Sequence, residues 1–313
     1  MGRFLTGRIL ATIPVMGVVA TIVFLLLRLA PGDPAAILAG DVASPEQIAA
    51  IRTRLGLDQP IIVQFVDWIG RLLRGDLGTS IISNQPVTRL IGERLEPTLA
   101  LATTTILFAV IVAVPLGVIS AWRHGTWIDR GVMTLSVLGF SIPVFVLGYL
   151  WIFGLAMELQ WLPVQGYVSF RQGFWPFLER LILPTLTLSV IYIALIARIT
   201  RASVLEVLGE DYIRTAHAKG VGERAVLTRH ALRNAAVPII SVIGIGIALL
   251  ISGVVITESV FNLPGLGRLT VDAVLARDYP VIQGVILLFS AVYIVINLAV
   301  DVSYTIFDPR IRY

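Results

Sequence analysis

Long apolar runs, separated by short polar segments, dominate the hydropathy pattern of this chain. Each run is close to the ~20 residues that a helix rising ~1.5 Å per residue needs to cross a hydrocarbon core of ~30 Å. The strict alternation of a membrane β-barrel strand does not occur in these runs, so helices are the expected spanning elements. We therefore predict an all-α integral membrane protein with six transmembrane helices. The predicted spans are Ile9–Leu27, Thr98–Ala121, Gly131–Met157, Leu181–Ala197, Asn234–Thr257 and Tyr279–Val300.

Prolines and glycines inside the spans predict local geometry. Pro115 and Pro143 should kink the second and third helices, because proline removes a backbone donor and clashes with the preceding turn. Gly246 and Gly253 fall on one face of the fifth helix, where they should permit close contact with a neighbouring helix.

The composition is typical of a membrane protein and excludes several other classes of protein and site. Charged residues make up 14% of the chain, against about a quarter in an average soluble domain, so little sequence remains for a separate globular unit. The chain contains no cysteine, which excludes disulfides, thiolate metal sites and thiol catalysis. The formal charge of +4 comes from arginines beside the predicted spans, where membrane topology explains them better than nucleic-acid binding does.

The distribution of basic residues predicts the orientation in the membrane. Short loops rich in Lys and Arg stay in the cytoplasm, and the loop within residues 198–235 is the richest in them. Both chain ends are therefore predicted to be cytoplasmic, and residues 31–97 to be external. Residues 1–30 are predicted to form a retained transmembrane helix, because the apolar run exceeds the ~7–15 residues of a signal-peptide core. Residues 94–305 are expected to form the transmembrane core.

Two helices are predicted within the external residues 31–97. Ser44 supplies an N-cap for the first helix, which should stop at Gly56. A second, amphipathic helix is predicted from about Pro60 to Leu73. We interpret the pair as a small cap lying on the outer membrane surface, with direct contact to the substrate as the alternative.

The basic loop carries local signals for two further helices. Asp211 can cap a short helix over Tyr212–Lys219, and Gly220 can take the left-handed position that follows it. A second helix is predicted over Glu223–Asn234. The first helix carries alanines on part of its surface, so it is slim enough to enter a cleft in a cytoplasmic partner. The alternative is a positively charged loop that lies on anionic lipid.

The loop sequence from Asp211 to Pro238 is DYIRTAHAKGVGERAVLTRHALRNAAVP. It resembles the cytoplasmic EAA loop of ABC importer permeases, in the form carried by the dipeptide/oligopeptide permease family. Of the general pattern Glu-Ala-Ala, three residues and Gly, only Ala216 and Gly220 match, and the expected proline position holds Arg233. Both departures are typical of the peptide-permease subfamily. Further landmarks of that family follow in its order along nearly the whole chain: LRLAPGDPA, LGLDQP, RGDLGTS, ILPTLTL, VFNLPGLGRL, RDYPVIQ and DPRIRY.

The resemblance implies one half of a type I importer in a bacterial or archaeal cytoplasmic membrane. A second homologous permease would complete the pathway, and an external solute-binding protein would deliver di- or oligopeptides. One or two cytoplasmic ABC ATPase subunits would bind ATP and Mg and drive transport. Relatives of the same architecture take glutathione, nickel chelates or other small solutes, and these stay as alternatives. The residues implied in ATPase coupling are Asp211, Tyr212, Arg214, Thr215, Ala216, Lys219 and Gly220, with His230, Arg233 and Asn234 supporting the second helix; the external loop signature falls on Phe261, Pro264, Gly265 and Gly267.

Catalytic and cofactor chemistry is not expected on this chain. A Walker A loop needs Gly-Lys-Ser/Thr, whereas Lys219, the only lysine, is followed by glycine. The histidines His124, His217 and His230 lack a nearby carboxylate pair for a metal, and no Ser-His-Asp or HExxH arrangement occurs. An ion-coupled secondary transporter would need ionisable groups at mid-membrane and internal repeats, which the sequence does not offer. We predict a non-enzymatic transport subunit that contacts membrane lipid and has no metal, cofactor or nucleic-acid partner of its own.

Overall fold

The computed structural model describes residues 2–29, 35–36, 44–54 and 56–307. Apart from one isolated bridge between Thr79 and Pro86, the regular structure in these ranges is helical. A π-helical turn over Ile152–Glu158 continues the helix Val144–Trp151, and a short 3₁₀ turn covers Phe170–Gln172. The longer helices are α1 Gly2–Leu29, α2 Pro45–Arg54, α3 Ile61–Leu73, α4 Val87–Trp122, α5 Trp127–Ser141, α6 Val144–Trp151, α7 Phe174–Leu208, α8 Asp211–Ala218, α9 Glu223–Asn234, α10 Ala236–Val260, α11 Leu266–Leu275 and α12 Tyr279–Phe307.

The chain divides into two compact units, which we describe separately. Unit 1 combines Met1–Leu95 with Arg268–Ile294. Unit 2 combines Glu96–Gly267 with Val295–Tyr313. The whole basic loop and four of the six predicted spans begin and end in unit 2.

Three helices are long and apolar enough to cross a membrane without a break, namely Val87–Trp122, Phe174–Leu208 and Tyr279–Ser303. Two bent helix pairs meet the same criteria, so the described part of the chain holds up to five candidate spans instead of the six expected. The difference lies in the first span. α1 has 28 residues, but its apolar stretch is the shorter segment Leu10–Leu25.

The expected third span, Gly131–Met157, is not one helix. α5 and α6 meet at a bend of 102° at Ile142 and Pro143. Proline has no backbone N–H, and the residue before it is driven out of the helical region; Ile142 accordingly has φ −92° and ψ 123°. α4, in contrast, continues through Pro115 without a break. Of the two prolines expected to kink helices, Pro143 has the stronger effect and interrupts the span.

In unit 1, the two helices predicted within residues 31–97 are confirmed. Ser44 and Gln47 form a capping box at the start of α2, in which each side chain accepts a hydrogen bond from the other residue's backbone N–H (3.3 and 2.9 Å). Gly56 follows the helix with φ +66°. The Phe65 ring of α3 lies 5.2 Å from the ring of Phe24, a buried residue of α1. These aromatic contacts attach the segment to the first helix.

Unit 2 is organised around α7, which packs against α5, α6 and α10. Glycines allow the helices to approach closely. A methyl group added to Gly253 of α10 would lie 2.8 Å from Leu188 of α7, and one added to Gly117 of α4 would lie 2.6 Å from Thr200. The predicted helix-contact role of Gly253 is therefore confirmed. The largest fully buried side chains of this core include Leu101, Leu181, Leu183, Leu188, Ile196, Leu250, Phe261 and Leu263.

Candidate functional site

The basic loop of unit 2 folds into two short helices, α8 and α9, which we call the basic hairpin. Only Gly209 and Glu210 separate α8 from the end of α7. The N-cap of α8 is Glu210 (φ −72°, ψ 147°), whose side chain makes no capping bond, and Asp211 is the first helical residue. The prediction that Asp211 caps this helix is therefore wrong by one position. The Asp211 carboxylate instead accepts from Arg214 one turn later (3.1 Å), and it favours the helix through its place at the positive end of the dipole.

The end of α8 forms as the sequence predicts. Gly220 takes φ +74°, a left-handed conformation that glycine adopts readily and other residues adopt at a cost. Its N–H donates to the His217 carbonyl (2.9 Å), and the Val221 N–H donates to the Ala216 carbonyl (3.1 Å). These two bonds make up a Schellman motif, which turns the chain so that α9 packs against α8.

A small apolar cluster holds the basic hairpin together. Ile213 and Ala216 of α8 and Val226 of α9 are buried, with relative exposures of 2%, 8% and 0%. Val207 and Leu208, at the end of α7, pack against the same cluster. Ala216 therefore does not lie on the surface expected for partner contact. It faces the hairpin interior because residues three positions apart, here Ile213 and Ala216, share one face of a helix.

The opposite face of α8 is exposed and polar. The ion pair between Arg214 and Asp211 has side-chain exposures of 76% and 93%, so it contributes little to stability. Tyr212 is 43% exposed, and its pKa is raised, first by partial burial and second by the Glu210 carboxylate. The predicted coupling residues that α8 and its turn expose are Asp211, Tyr212, Arg214, Thr215, Lys219 and Gly220.

α9 confirms the predicted second helix but departs from regular α-helical geometry. Its middle, Val226–Ala231, is a π-helical turn, a feature that often marks functional sites and that the sequence does not predict. The half-buried His230 accepts at its carbonyl from the Asn234 side chain (2.6 Å). The Asn234 side chain also lies near Tyr212 of α8, where it offsets part of the rise in the pKa of that tyrosine, and Arg233 is exposed. α9 then meets α10 at a bend of 62°.

Histidine on α8 takes part in a contact across the turn. The His217 Nδ1 lies 3.6 Å from the Glu223 carboxylate at the start of α9, and both side chains are about half exposed. Within the described ranges, no three side chains of His, Cys, Asp or Glu come together as metal ligands. The contact joins the end of α8 to the start of α9.

A second ordered site lies at the other end of α10, in the predicted signature Phe261–Gly267. Glu258 is fully buried, and its Oε1 accepts from the Thr98 hydroxyl at 2.5 Å. The Thr98 oxygen in turn accepts from the Leu266 N–H at 2.8 Å. A methyl group added to Gly265 would overlap the Glu258 carboxylate, so glycine is what lets the backbone approach the acid. We call this arrangement the Glu258 turn.

The signature residues divide between core and surface. Phe261 is buried in the core of unit 2, Gly265 and Gly267 are buried near Glu258, and Pro264 is exposed. Sequence reasoning missed Glu258, because this acid only marks the end of the fifth apolar run. The signal that could have found it is a carboxylate shortly before PGLG, since closely spaced glycines indicate close approach of the backbone to another group.

Known proteins resemble this chain along its full length. Residues 113–313 match the family described as binding-protein-dependent transport system inner membrane component, and residues 1–102 match the N-terminal part of such components. The chain is 55% identical to the "Probable peptide ABC transporter permease protein" of Sinorhizobium fredii, over 313 residues that cover 100% of both chains. It is 45% identical to the glutathione transport system permease protein of Salmonella choleraesuis, with the same coverage.

The fold also has a counterpart among solved structures. A chain in a structure of inward-facing conformations of the MetNI methionine ABC transporter matches with a TM-score of 0.59, over 71% of this chain and 97% of that chain. At 18% sequence identity the likeness concerns the fold alone. It agrees with the predicted type I ABC importer permease fold, and the family description confirms a multi-pass membrane protein. The chain belongs to the family of inner membrane components of binding-protein-dependent transport systems.

Proposed function

We propose that this chain is one permease subunit of an ATP-driven importer. It forms half of a translocation pathway for di- or oligopeptides that an external binding protein delivers. The 55% identical relative is named as a peptide permease, and identity at that level over the full length supports a shared substrate class. A second homologous permease supplies the other half of the pathway, and one or two ATPase subunits supply the energy.

The observation that carries the proposal is that the basic hairpin has a fixed, well-packed structure. A Schellman motif and a buried cluster fix α8 against α9 and the end of α7, while α8 keeps an exposed polar face. A loop that only lay on anionic lipid would need neither the turn nor the cluster. We assign Asp211, Arg214 and Lys219 on the exposed face to contact with a cytoplasmic ATPase, since charged groups are typical of interface rims.

Two of the predicted coupling residues act through the shape of the hairpin. Ala216 is small enough for α8 to pack on Val226 of α9, so it sets the position of the exposed face from inside. Gly220 allows the left-handed turn between the two helices. Substitutions at either residue should change coupling through the hairpin fold, whereas substitutions at Asp211 or Arg214 should change the contact itself.

ATP binding belongs to the partner subunits in this proposal. The only lysine, Lys219, is the C-cap of α8. A Walker A lysine stands at a helix N-terminus, where the dipole and free N–H groups favour phosphate. The C-terminal end of a helix has the opposite polarity and disfavours an anion. This chain therefore transports without a nucleotide site of its own.

The basic hairpin faces the cytoplasm in this proposal, as do both chain ends, because it carries the densest cluster of basic residues. The Glu258 turn lies at the other end of α10, which at 25 residues is ~37 Å long. That length exceeds a hydrocarbon core of ~30 Å. The Glu258 turn then faces the external side, where the binding protein delivers the substrate.

Glutathione is the second candidate substrate. The glutathione permease of Salmonella choleraesuis is 45% identical to this chain over the full length of both. Glutathione is itself a short peptide with charged termini, so a pathway for small peptides has the size and polarity it requires. The two candidates differ mainly in what the external binding protein recognises.

The test reconstitutes this chain with its partner permease, the ATPases and the binding protein in proteoliposomes that enclose ATP. Uptake of labelled dipeptides, longer peptides and glutathione is measured with and without the binding protein. The proposal expects peptide uptake that requires both ATP and the binding protein. Uptake by this chain alone under an ion gradient would refute it, and uptake of glutathione but of no other peptide would select the second candidate.

The orientation has a separate test. A lysine-specific protease can cut this chain only after Lys219. With the hairpin in the cytoplasm, added protease should cleave the chain in inside-out membrane vesicles and leave it intact in right-side-out vesicles. The reverse pattern would refute the cytoplasmic assignment.

A further inference from the structure

A buried carboxylate at the start of α5 joins that helix to three other segments of unit 2. The Asp129 side chain accepts at Oδ1 from the Arg201 Nε (2.5 Å) and the Ser120 hydroxyl (2.6 Å). Its Oδ2 accepts from the Arg201 Nη2 (2.8 Å) and the Gly125 N–H (3.0 Å). The Arg201 Nη2 also donates to the His124 Nδ1 (2.9 Å). We call these five residues the Asp129 junction; they link the end of α4, the following turn, α5 and α7.

The geometry of the Asp129 junction makes it a stiff connection. A bidentate arginine–carboxylate pair fixes both the distance and the angle between the two groups. Side-chain exposures of 20% for Arg201 and 6% for Asp129 keep the pair out of bulk solvent, so salt screens it less than a surface pair. Removal of one partner would leave the other charge buried, which makes such pairs sensitive to mutation.

Arg201 belongs to the helix that carries the basic hairpin. It lies about two helical turns, ~10 Å, before the end of α7 at Leu208. Val207 and Leu208 pack against the buried cluster that includes Ile213 of α8, and only two residues separate the two helices. A displacement of the basic hairpin therefore carries the end of α7, and Arg201, with it.

Asp129 belongs to a helix that has a break at its other end. α5 lies so close to α7 that a methyl group added to Gly139 would stand 3.0 Å from Val190. α5 stops at the 102° bend of Ile142 and Pro143. Residues at the end of a helix can absorb changes in backbone angle during a hinge motion. α5 thus has an attachment to α7 at the Asp129 junction and a candidate hinge at Pro143.

We infer that Asp129 and Arg201 are positioning residues for transport, which make α5 follow α7 when an ATPase displaces the basic hairpin. The inference rests on the proposed function, because it takes the hairpin as the ATPase contact. The Asp129 junction passes a movement at the cytoplasmic side to the bend at Pro143. When the junction is broken, the ATPases still hydrolyse ATP, but α5 no longer follows α7. ATP hydrolysis is then uncoupled from transport.

The experiment measures uptake and ATP hydrolysis on the same proteoliposomes, which hold the whole transporter. Asp129→Asn removes the charge and keeps the shape of the side chain. We expect basal hydrolysis, without binding protein, within about two-fold of wild type, and a ratio of uptake to hydrolysed ATP lowered about ten-fold. Arg201→Lys keeps the charge but loses the bidentate geometry, so a loss of about three-fold is expected. Asp129→Asn combined with Arg201→Gln should be no worse than Asp129→Asn alone, because the two residues act as a pair.

Arg198→Gln is the matched control. Arg198 lies on the same helix and is exposed, with its guanidinium over the ring of Phe140 of α5 at 5.4 Å. The control therefore removes an exposed contact between α7 and α5 that has neither the burial nor the bidentate geometry of the Asp129 junction. The substitution should leave the ratio of uptake to hydrolysed ATP unchanged. A similar loss of that ratio in Arg198→Gln would overturn the inference, because an exposed contact between α7 and α5 would then have the same effect as the Asp129 junction.

Further outcomes decide whether the inference about Asp129 and Arg201 holds. Wild-type ratios in both Asp129→Asn and Arg201→Lys would overturn the inference. So would an equal loss of basal hydrolysis, stimulated hydrolysis and uptake, which indicates a role in folding only. If Asp129→Asn does not assemble, the ratio in Arg201→Lys decides alone. A wild-type complex without ATP-dependent uptake would refute the proposed function, and the inference with it.

Discussion

Replacement of Gly220 by alanine isolates the backbone conformation that closes the basic hairpin. No neighbouring atom lies within 4 Å of the position of the added methyl group, so the substitution changes the backbone preference without changing the packing. The left-handed conformation at φ +74° costs an L-residue about 1–2 kcal/mol. When that cost falls on the closed hairpin, the open form becomes about 5- to 30-fold more populated.

The only lysine of the chain makes this opening measurable. A lysine-specific protease can cut only after Lys219, which is the C-cap of α8, and it leaves fragments 1–219 and 220–313. When the hairpin opens and closes quickly relative to cleavage, the cleavage rate follows the population of the open form. The purified Gly220→Ala permease should therefore be cleaved about 5- to 30-fold faster than the wild type.

Two controls separate the hairpin from the preferences of the protease. Peptides of residues 211–227, with and without the substitution, give the intrinsic cleavage rates by which the protein rates are divided. Gly222→Ala adds the same methyl group where φ is −64° and the space is also open, so cleavage at the wild-type rate or more slowly is expected. Equal corrected rates for Gly220→Ala and wild type would refute the reasoning.

The Glu258 turn and the hairpin cluster give three further expectations. Gly265→Ala presses a methyl group on the buried Glu258 carboxylate and should lower the midpoint of thermal unfolding in detergent by about 3–8 °C, whereas Gly92→Ala, on an open face of α4, should not lower it. Thr98→Val removes the hydroxyl that donates to Glu258 and accepts a backbone N–H; the same midpoint should fall, because a buried polar group that loses a partner costs about 1–3 kcal/mol. Unchanged midpoints would contradict these contacts. Ile213→Ala truncates a side chain that is 2% exposed and should destabilise the basic hairpin by about 2–4 kcal/mol. The rate of lysine-specific cleavage should therefore rise at least ~30-fold. Cleavage at the wild-type rate would contradict the packing of Ile213.

Local signals in the sequence predict the basic hairpin well. The turn after α8 depends on Gly220 and on bonds that reach back only as far as Ala216, so a short stretch of sequence contains what determines it. The local signals place the start of α8 one residue too late, and they do not show that Ala216 faces the hairpin interior. Glu210 and Asp211 are both acidic and both suit a helix N-terminus, and no side-chain capping bond distinguishes them in the structure.

Contacts between distant residues could not be predicted in the same way. Asp129 and Arg201 are 72 residues apart, so no local pattern joins them, and the sequence shows only two charges near the ends of apolar runs. The prolines give a second example. Pro115 and Pro143 both occur within apolar runs, yet only Pro143 coincides with a break. Neighbouring helices decide whether the backbone groups freed by a proline find other partners, and a single sequence does not contain that arrangement.

The small interior of the basic hairpin limits how it could be imitated. The interior consists of Ile213, Ala216 and Val226, and Val207 and Leu208 from the end of α7 cover part of it. A synthetic copy of the segment lacks that scaffold, and helices this short do not persist alone in water. A competitive blocker designed from this segment would need a covalent staple that replaces the missing support of α7.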